Sequence, residues 1–214
     1  MNTAYIFCAS GVLNKEKIKI PAEKKTDIYI AADSGAKTAL ALNIVPDVAI
    51  GDFDSFDISD LRAENMKTIT HPAQKDDTDS LLAIKYALGE GYKNIAVIGG
   101  LDGRLDHTLA NLCYLKYIKK RRAFGYMTNG YNKITYLENS SLEIYKDYKY
   151  VSIIPVSRKI RGLTLSGFKY PLAGAEVNFE EPYTVSNEIA ENAEHGEICI
   201  SRGSALICEC DDYQ

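Results

Sequence analysis

The sequence predicts an N-terminal α/β domain, with a doubly wound and mostly parallel sheet, followed by a small C-terminal β-sandwich. Over roughly the first 125 residues, short apolar runs alternate with helical patterns, which is the arrangement of an α/β sheet. Several of these runs are continuously apolar, as expected of parallel strands that are covered on both faces. From about residue 139 onward, short strands follow one another without a long helix, which is typical of an all-β domain.

The N-terminal region contains five predicted strands and two well-marked helices. In residues 79–91, Leu81, Ile84 and Leu88 recur at helical spacing, and a glycine at 89 or 91 ends the helix. In residues 107–122, Leu109, Leu112 and Cys113 lie on one stripe of a second helix. The strands are predicted in AYIFCAS, DIYIAADSG, VAIGDFDS, KTITHP and NIAVIGG.

The change of pattern places a domain boundary near residues 135–140, which gives predicted domains at 1–138 and 139–214. Cys208 and Cys210 lie in an alternating strand, where buried thiols are expected. The predicted strands of the second domain lie in SLEIYKDY, KYVSIIPVS, IRGLTLSGF, AEVNFEEPYTVSNEI and GEICISRGSALICEC.

Charge and cysteine content exclude several classes of protein. The net charge is -4, and the strongest basic run is KKRR at 119–122, whereas a nucleic-acid surface needs a broader basic face. The five cysteines are scattered and include no C-x-x-C pair, which argues against structural zinc and a disulfide framework. No signal peptide or membrane-spanning segment is expected. We therefore expect a cytoplasmic protein that binds neither nucleic acid nor membrane.

Acidic residues follow four consecutive predicted strands. Because ligands of open parallel sheets bind beyond the carboxyl ends of the strands, these residues are expected to share one rim. Asp52 and Asp54 are two apart in an extended segment and project to one face. Asp76 and Asp79 are three apart at a helix start and also share a face. The polar strand-end segments are 33–35, 51–55, 75–79 and 99–107.

Converging carboxylates predict a metal–polyphosphate site. Hard oxygen ligands suit Mg²⁺, which keeps waters and phosphate oxygens in its other positions. Arg104 lies in a glycine-flanked loop, where its planar fork suits phosphate oxygens. Each feature also has a simpler interpretation: Asp76 or Asp77 as a helix N-cap, the glycine pairs as turns, and His107 as a cap or packing residue. The coincidence of four acidic strand ends favours the functional interpretation.

In this order, the motifs AADSGA, PDVAIGDFDS, KDDTD and GGLDGRLDH closely resemble those of the thiamine pyrophosphokinase family. The C-terminal GLTLSGFKYPL and VSNE strengthen the resemblance, which runs from about residue 5 to the C-terminus. It implies that the thiamine hydroxyethyl oxygen attacks the β-phosphorus of ATP, assisted by Mg²⁺, to give thiamine diphosphate and AMP. It also implies a homodimer, with ATP on the α/β domain of one subunit and thiamine in a cleft completed by the β-domain of the other.

The resemblance also implies roles for individual residues. The catalytic and metal-binding aspartates are Asp52, Asp54 and Asp79, and Asp54 and Asp79 are candidates for the base that takes the hydroxyl proton. Ser186 and Asn187 match the element that meets the thiamine pyrimidine. The residues expected to bind the nucleotide or its phosphates are Asp33, Ser34, Gly35, Asp76, Asp77, Thr78, Arg104, Asp106 and His107.

One departure concerns the thiamine site. Eukaryotic relatives place a tryptophan beside the thiamine rings, and this chain has none. Phe168, Tyr170 and Tyr183 lie in the corresponding region, where each is otherwise explained as sandwich core, and Glu188 is either a contact to the thiazolium cation or a solvated edge residue.

Three other functions compete with this interpretation. A haloacid-dehalogenase-type phosphatase also carries an aspartate pair, although that pair follows the first strand and here it follows the third. A thiamine or nucleotide sensor would retain the fold without the chemistry. A related kinase would transfer the same group to another pyrimidine or thiazole alcohol.

Overall fold

The computed structural model describes residues 2–21, 26–52, 66–70 and 77–213. The chain divides into two compact units, Met1–Gly130 and Tyr131–Gln214. Within the described ranges, no helix is long and apolar enough to cross a membrane.

The described part of the first unit forms a parallel sheet with the strand order β4-β3-β2-β1-β5-β6. This is the predicted α/β arrangement, and the two predicted helices are confirmed. The strands are β1 (Thr3–Phe7), β2 (Ile28–Ala32), β3 (Val48–Gly51), β4 (Lys67–Thr70), β5 (Asn94–Ile98) and β6 (Phe124–Thr128). The helices are α1 (Gly35–Ala41), α2 (Asp79–Gly89) and α3 (Leu105–Lys120), with a short 3-10 turn at Lys15–Lys17.

Strands β1 and β5, which are neighbours in the sheet, are buried over almost their whole length, and this explains their continuous apolar sequences. Residues 4–7 of β1 and 95–98 of β5 are all buried, as expected when helices cover both faces of a parallel sheet. Tyr5, Phe7 and Ile98 pack in one cluster with Ala39 of α1. Helices α2 and α3 pack against each other, and α2 also contacts β1, β2 and β3.

The buried face of α3 differs from the predicted stripe. Leu109 is 54% exposed and Cys113 is also exposed, whereas Asn111, Leu115 and Ile118 are buried. The latter three recur at i, i+4 and i+7, so they form the face that packs on the rest of the unit. This helix carries apolar residues on more than one side, and its sequence alone does not show which side is covered.

The second unit consists of two antiparallel sheets, as predicted for a β-sandwich. One contains β7, β13 and β9 in that order, and the other has the order β11-β10-β12-β8. The strands are β7 (Asn132–Glu138), β8 (Ser141–Tyr145), β9 (Tyr150–Pro155), β10 (Lys159–Ser166), β11 (Leu172–Asn178), β12 (His195–Arg202) and β13 (Ser204–Cys210). Inward-facing side chains of both sheets form one apolar cluster, including Ile153, Leu163, Ile198 and Ile207.

Three details of the second unit depart from the sequence prediction or refine it. The fully buried face of β13 carries Ala205, Ile207 and Glu209, and Cys208 and Cys210 are only half-buried on the alternate positions. The strand predicted through residues 175–189 ends at Asn178, where the chain turns and Glu181 N donates to Asn178 O at 3.3 Å. The predicted boundary at 138/139 coincides with the end of β7, while the compact units divide at 130/131.

Gly35 offers a test of how α1 is seated on the sheet. A Cβ at this position would overlap the carbonyl oxygen of Phe7, so any larger residue forces α1 away from β1. We expect Gly35→Ala to destabilise the protein by about 2 kcal/mol or more, since overpacking a well-packed site costs about 1–3 kcal/mol. Urea unfolding followed by far-UV circular dichroism measures the change.

Gly89→Ala is the matched control for this prediction. Gly89 is the last residue of α2, and a Cβ there would meet no atom within 4 Å. Because alanine favours helix by about 0.5–1 kcal/mol over glycine, this variant should be as stable as the parent or slightly more so. Equal unfolding midpoints for both variants would contradict the close approach at Gly35.

Candidate active site

The strand order defines a crevice at the carboxyl ends of β1 and β5. The chain runs from β1 through β2, β3 and β4 on one side, and then returns to place β5 and β6 on the other side of β1. Such a reversal is where open α/β sheets bind ligands. A cleft of about 460 Å³ lies there, within the usual range for small-ligand sites. Its lining includes residues 8–11, Ser34, Lys37, Thr38, Ser80, Gly100, residues 102–104, His107 and Asn111.

Glycines bring the loops after β1 and β5 into close contact. Cys8 N donates to Ile98 O at 2.8 Å, and Gly100 N donates to Ala9 O at 3.0 Å. Gly99 has a φ of 87°, and a Cβ there would lie 2.5 Å from the carbonyl oxygen of Cys8. Position 99 therefore requires glycine for both its backbone conformation and its packing.

The side chain of Asn111 supports the loop after β5, a role that the sequence did not reveal. Its side-chain Nδ2 donates to Gly100 O at 2.9 Å, and the residue is only 7% exposed. A buried side-chain amide of this kind is retained when its hydrogen bonds are made. The available signal was an asparagine on a helix face one turn after His107, and this signal becomes informative only when the buried face of α3 is known.

The segments at the ends of β2 and β3, which carry Asp33 and Asp52, are held close together by backbone contacts. Asp33 N donates to Ile50 O at 2.8 Å, and a Cβ on Gly51 would be 3.1 Å from Asp33 Cα. Asp52 follows Gly51 directly. Asp33 also has a φ of 46°, an unusual conformation that aspartate tolerates better than most residues.

Asp79 is the first residue of α2 and lies near the end of β1. Burial raises the pKa of the Cys8 thiol to about 11, and the negative charge of Asp79 contributes to that rise. The Cys8 thiol also contacts Ser80 Oγ at 3.4 Å. Among the predicted aspartates, Asp54 and Asp76 lie outside the described residues.

The N-cap of α2 is Thr78. Its Oγ1 accepts a hydrogen bond from Leu81 N at 3.3 Å and shares another with the hydroxyl of Tyr114 at 2.9 Å. Asp77, considered above as a possible cap, instead forms an ion pair with Lys85. The simpler interpretation of Asp77 as an N-cap is thus wrong. Asp79 lies in the first turn, where a negative charge interacts favourably with the helix dipole.

Arg104 and Asp106 form a two-point ion pair at the start of α3. Arg104 Nε donates to Asp106 Oδ1 at 3.1 Å and an Nη2 hydrogen is donated to Oδ2. The hydrogen bond with Arg104 lowers the pKa of Asp106. Arg104 lines the cleft, and because arginine has five N–H donors, its guanidinium retains donors for another anion. His107 also lines the cleft.

Ser34 and Lys37 extend the cleft on the α1 side. Both line it, together with Thr38, and Lys37 adds a cationic group that the sequence analysis did not select. Its signal in the sequence was a lysine two residues after the glycine of the ADSGA motif. Among the described residues, the lining of the cleft thus combines the cationic Lys37 and Arg104 with one carboxylate, that of Asp102, whereas Asp33, Asp52, Asp79 and Asp106 lie outside this lining.

In the second unit, the Asn187 side chain is buried and supports a neighbouring loop. Its Oδ1 accepts from Tyr170 N at 3.1 Å and from Glu188 N at 2.9 Å, while Nδ2 donates to Tyr170 O at 2.8 Å. Ser186 is exposed, has a φ of 57°, and donates its N–H to Ser152 Oγ at 2.9 Å. Asn187 is therefore suited to positioning the Tyr170 loop, and Ser186 is a residue exposed to solvent.

The three aromatic candidates of this unit differ in exposure. Phe168 is only 4% exposed and belongs to the apolar cluster, as its core interpretation predicts, whereas Tyr170 and Tyr183 are 61% and 60% exposed. Glu188 pairs with Lys169 at 3.0 Å. Of these three candidates, the two tyrosines are therefore the ones whose rings are exposed to solvent.

Two protein-family models match the chain. The thiamin pyrophosphokinase catalytic domain matches residues 22–124, and the thiamin pyrophosphokinase vitamin B1 binding domain matches residues 139–204. The first match contains most of the cleft described above. The second lies within the β-sandwich unit.

Relatives and solved structures agree with these matches. Thiamine pyrophosphokinase of Bacillus subtilis is 32% identical over 190 residues, covering 86% of this chain and 88% of the relative. Thiamin pyrophosphokinase 1 of Caenorhabditis elegans is 26% identical, with 76% and 68% covered. The crystal structure of the Bacillus subtilis enzyme has a TM-score of 0.85 at 27% identity, with 99% of each chain covered. That of Geobacillus thermodenitrificans thiamin pyrophosphokinase has a TM-score of 0.81 at 25% identity, with 100% and 99% covered. The chain therefore belongs to the thiamin pyrophosphokinase family, whose members form thiamine diphosphate by pyrophosphoryl transfer.

Proposed function

We propose that the chain transfers the diphosphoryl group of ATP to the hydroxyethyl oxygen of thiamine and releases AMP. The observation that carries this proposal is the cleft at the switch point between β1 and β5. The cationic residues Lys37 and Arg104 both line this cleft. The cleft lies at the edge of the sheet where Asp33 and Asp52 follow their strands. Such a combination suits a polyphosphate chain, whose negative charge needs both cations and hydrogen-bond donors.

Diphosphoryl transfer asks the protein mainly to position groups and to balance charge. Arg104, held by Asp106, offers its remaining N–H donors to phosphate oxygens, and Ser34 adds a hydroxyl at the α1 side of the cleft. The proton of the attacking hydroxyl requires an acceptor. Asp79 is the candidate within the described residues, and Asp54 remains the candidate outside them. No covalent intermediate with the protein is expected.

Magnesium fits the donor set at these strand ends. Asp52 and Asp79 would supply carboxylate oxygens, which are the ligands that Mg²⁺ prefers. Within residues 2–21, 26–52, 66–70 and 77–213, no three ligating side chains are close enough to hold a metal by themselves, so phosphate oxygens and waters would complete its shell. A bound Mg²⁺ would neutralise the phosphates and hold the leaving group in line.

We assign thiamine to the second unit and propose a homodimer with composite active sites. The exposed rings of Tyr170 and Tyr183 support this assignment, because an aromatic face attracts a cation such as the thiazolium. Ser186 offers a hydroxyl near Tyr170, whose loop is fixed by Asn187. This unit also carries exposed apolar side chains, among them Phe179 and Val185, which a subunit interface would bury.

Asp79→Asn tests the chemistry of the site. The parent enzyme with Mg-ATP and thiamine should yield AMP and thiamine diphosphate in equal amounts, separated by ion-exchange chromatography. Loss of the Asp79 charge should lower kcat by at least about 100-fold, the usual effect of removing one group that stabilises transition-state charge. Treatment with EDTA should suppress turnover of the parent enzyme, and added Mg²⁺ should restore it.

The control for this experiment is Asp212→Asn, the same change at a largely exposed carboxylate of the second unit. It should retain the parent rate. ADP in place of AMP would show a monophosphate kinase and contradict the proposed transfer. Binding of both ligands without turnover would instead identify a sensor.

Ser186→Ala and Asn187→Ala separate direct contact from support at the thiamine site. Asn187→Ala leaves Tyr170 N and O without their partner, so it should cost about 1–3 kcal/mol of stability and also raise the KM for thiamine. Ser186→Ala should change stability by less than about 0.5 kcal/mol, yet raise the KM for thiamine about tenfold through one lost hydrogen bond.

Steady-state kinetics with varied thiamine, combined with urea unfolding, measures both effects. The KM for ATP serves as the internal control and should stay constant in the Ser186 variant. An unchanged thiamine KM in both variants would remove residues 186–187 from the site.

A further inference from the structure

The carboxylate of Asp102 joins two loops that line the cleft. Asp102 Oδ1 accepts a hydrogen bond from Ser10 Oγ at 2.7 Å, and Oδ2 accepts one from Gly11 N at 2.6 Å. We name these two hydrogen bonds the Asp102 bridge. Ser10 and Gly11 follow β1, and Asp102 follows β5, so the bridge connects residues 91 and 92 positions apart in the sequence.

The bridge lies across the point where the strand order reverses. Backbone pairing between the two loops reaches Gly100 N and Ala9 O, and the bridge continues the connection further from the sheet. Close approach depends on Gly11, since a Cβ there would be 3.2 Å from Asp102 Oδ2. All three residues of the bridge line the cleft.

The chemistry of the bridge makes it a strong restraint. An ionised carboxylate that accepts from a hydroxyl and from a backbone N–H forms charge-assisted hydrogen bonds, which are shorter and stronger than neutral ones. All three residues are at least partly exposed to solvent, so little apolar core depends on them. The restraint therefore acts on the shape of the cleft more than on the stability of the fold.

We infer that Asp102 is a positioning residue for the nucleotide. The bridge holds the loop that carries Arg104, two residues beyond Asp102, against the loop that follows β1. The cleft is thereby formed before the polyphosphate enters, and a preformed site binds more tightly because less ordering is needed on binding. This inference rests on the proposed function, in which that cleft binds ATP.

A different role for the same contacts predicts the opposite result. Ser10 Oγ and Gly11 N are two donors that converge on one anion, and a phosphate oxygen could occupy their place. In that case the Asp102 carboxylate would compete with the nucleotide, and its removal would tighten ATP binding. The sign of the change therefore distinguishes the two roles.

The experiment compares Asp102→Ala, Ser10→Ala and the double variant in the full chain. Asp102→Ala should raise both the Kd and the KM for ATP about tenfold, while kcat and the KM for thiamine at saturating ATP change by less than about twofold. Ser10→Ala should have a smaller effect, because the hydrogen bond from Gly11 N remains. Ser10→Thr retains the hydroxyl, so its Kd and KM for ATP should equal those of the parent protein.

The double variant tests whether the two residues act together. If Ser10 acts through Asp102, the double variant should bind ATP no more weakly than Asp102→Ala alone, as expected for residues in one network. Glu90→Ala is the control for loss of an exposed acid, since Glu90 follows the far end of α2. Its kinetic parameters should equal those of the parent.

Four results would overturn the inference. An unchanged or lowered Kd for ATP in Asp102→Ala would exclude a positioning role. Equal changes in kcat and both KM values would indicate general loss of structure. Additive effects of Ser10 and Asp102 would show independent residues. A parent protein with no affinity for ATP would refute the proposed nucleotide site, and the inference with it, whereas the first three results leave that proposal intact.

Discussion

Parallel pairing of β1 between β2 and β5 is the constraint on which the site depends. Phe7 of β1 pairs with Ala31 on one side and with Ile98 on the other, and Ala32 in turn pairs with Ile50 of β3. With this register the four strands end at one level, so the segments that follow them share one rim. Polar residues far apart in the sequence are thus collected without any of them entering the apolar sheet. Glycines at the strand ends then allow the following backbone to approach closely, as at Gly99.

The same rim concentrates negative charge, and the structure limits the resulting repulsion by local pairing. Asp106 is held by Arg104, and Asp77 by Lys85. Ion pairs this exposed to solvent contribute little to stability, but they fix the directions of the charged groups. A site for polyphosphate needs such orientation more than it needs net positive charge, because binding and transfer depend on donors placed in advance.

Much of this arrangement could be predicted from the sequence because it is local. Continuous apolar runs identified the buried parallel strands, and the residues directly after them identified the acidic rim at Asp33 and Asp52. The roles of Asn111 and Asp102 could not be predicted in this way. Asn111 reaches Gly100 O only because α3 buries the face that carries it. Asp102 accepts the hydrogen bond from Ser10 only because β1 and β5 are neighbours in the sheet. Both facts belong to the tertiary structure, and no local pattern in the sequence contains them.

The proposed function requires that the cleft beyond β1 and β5 binds the nucleotide. Hydrogen–deuterium exchange with mass spectrometry, with and without Mg-ATP, tests it directly because it reports on each loop without requiring turnover. If the cleft binds the nucleotide, adding Mg-ATP should slow the exchange of backbone amides in residues 8–14 and 99–111 and leave the exchange in β8 of the second unit unchanged. Slower exchange confined to residues 131–213, or no change near β1 and β5, would contradict it.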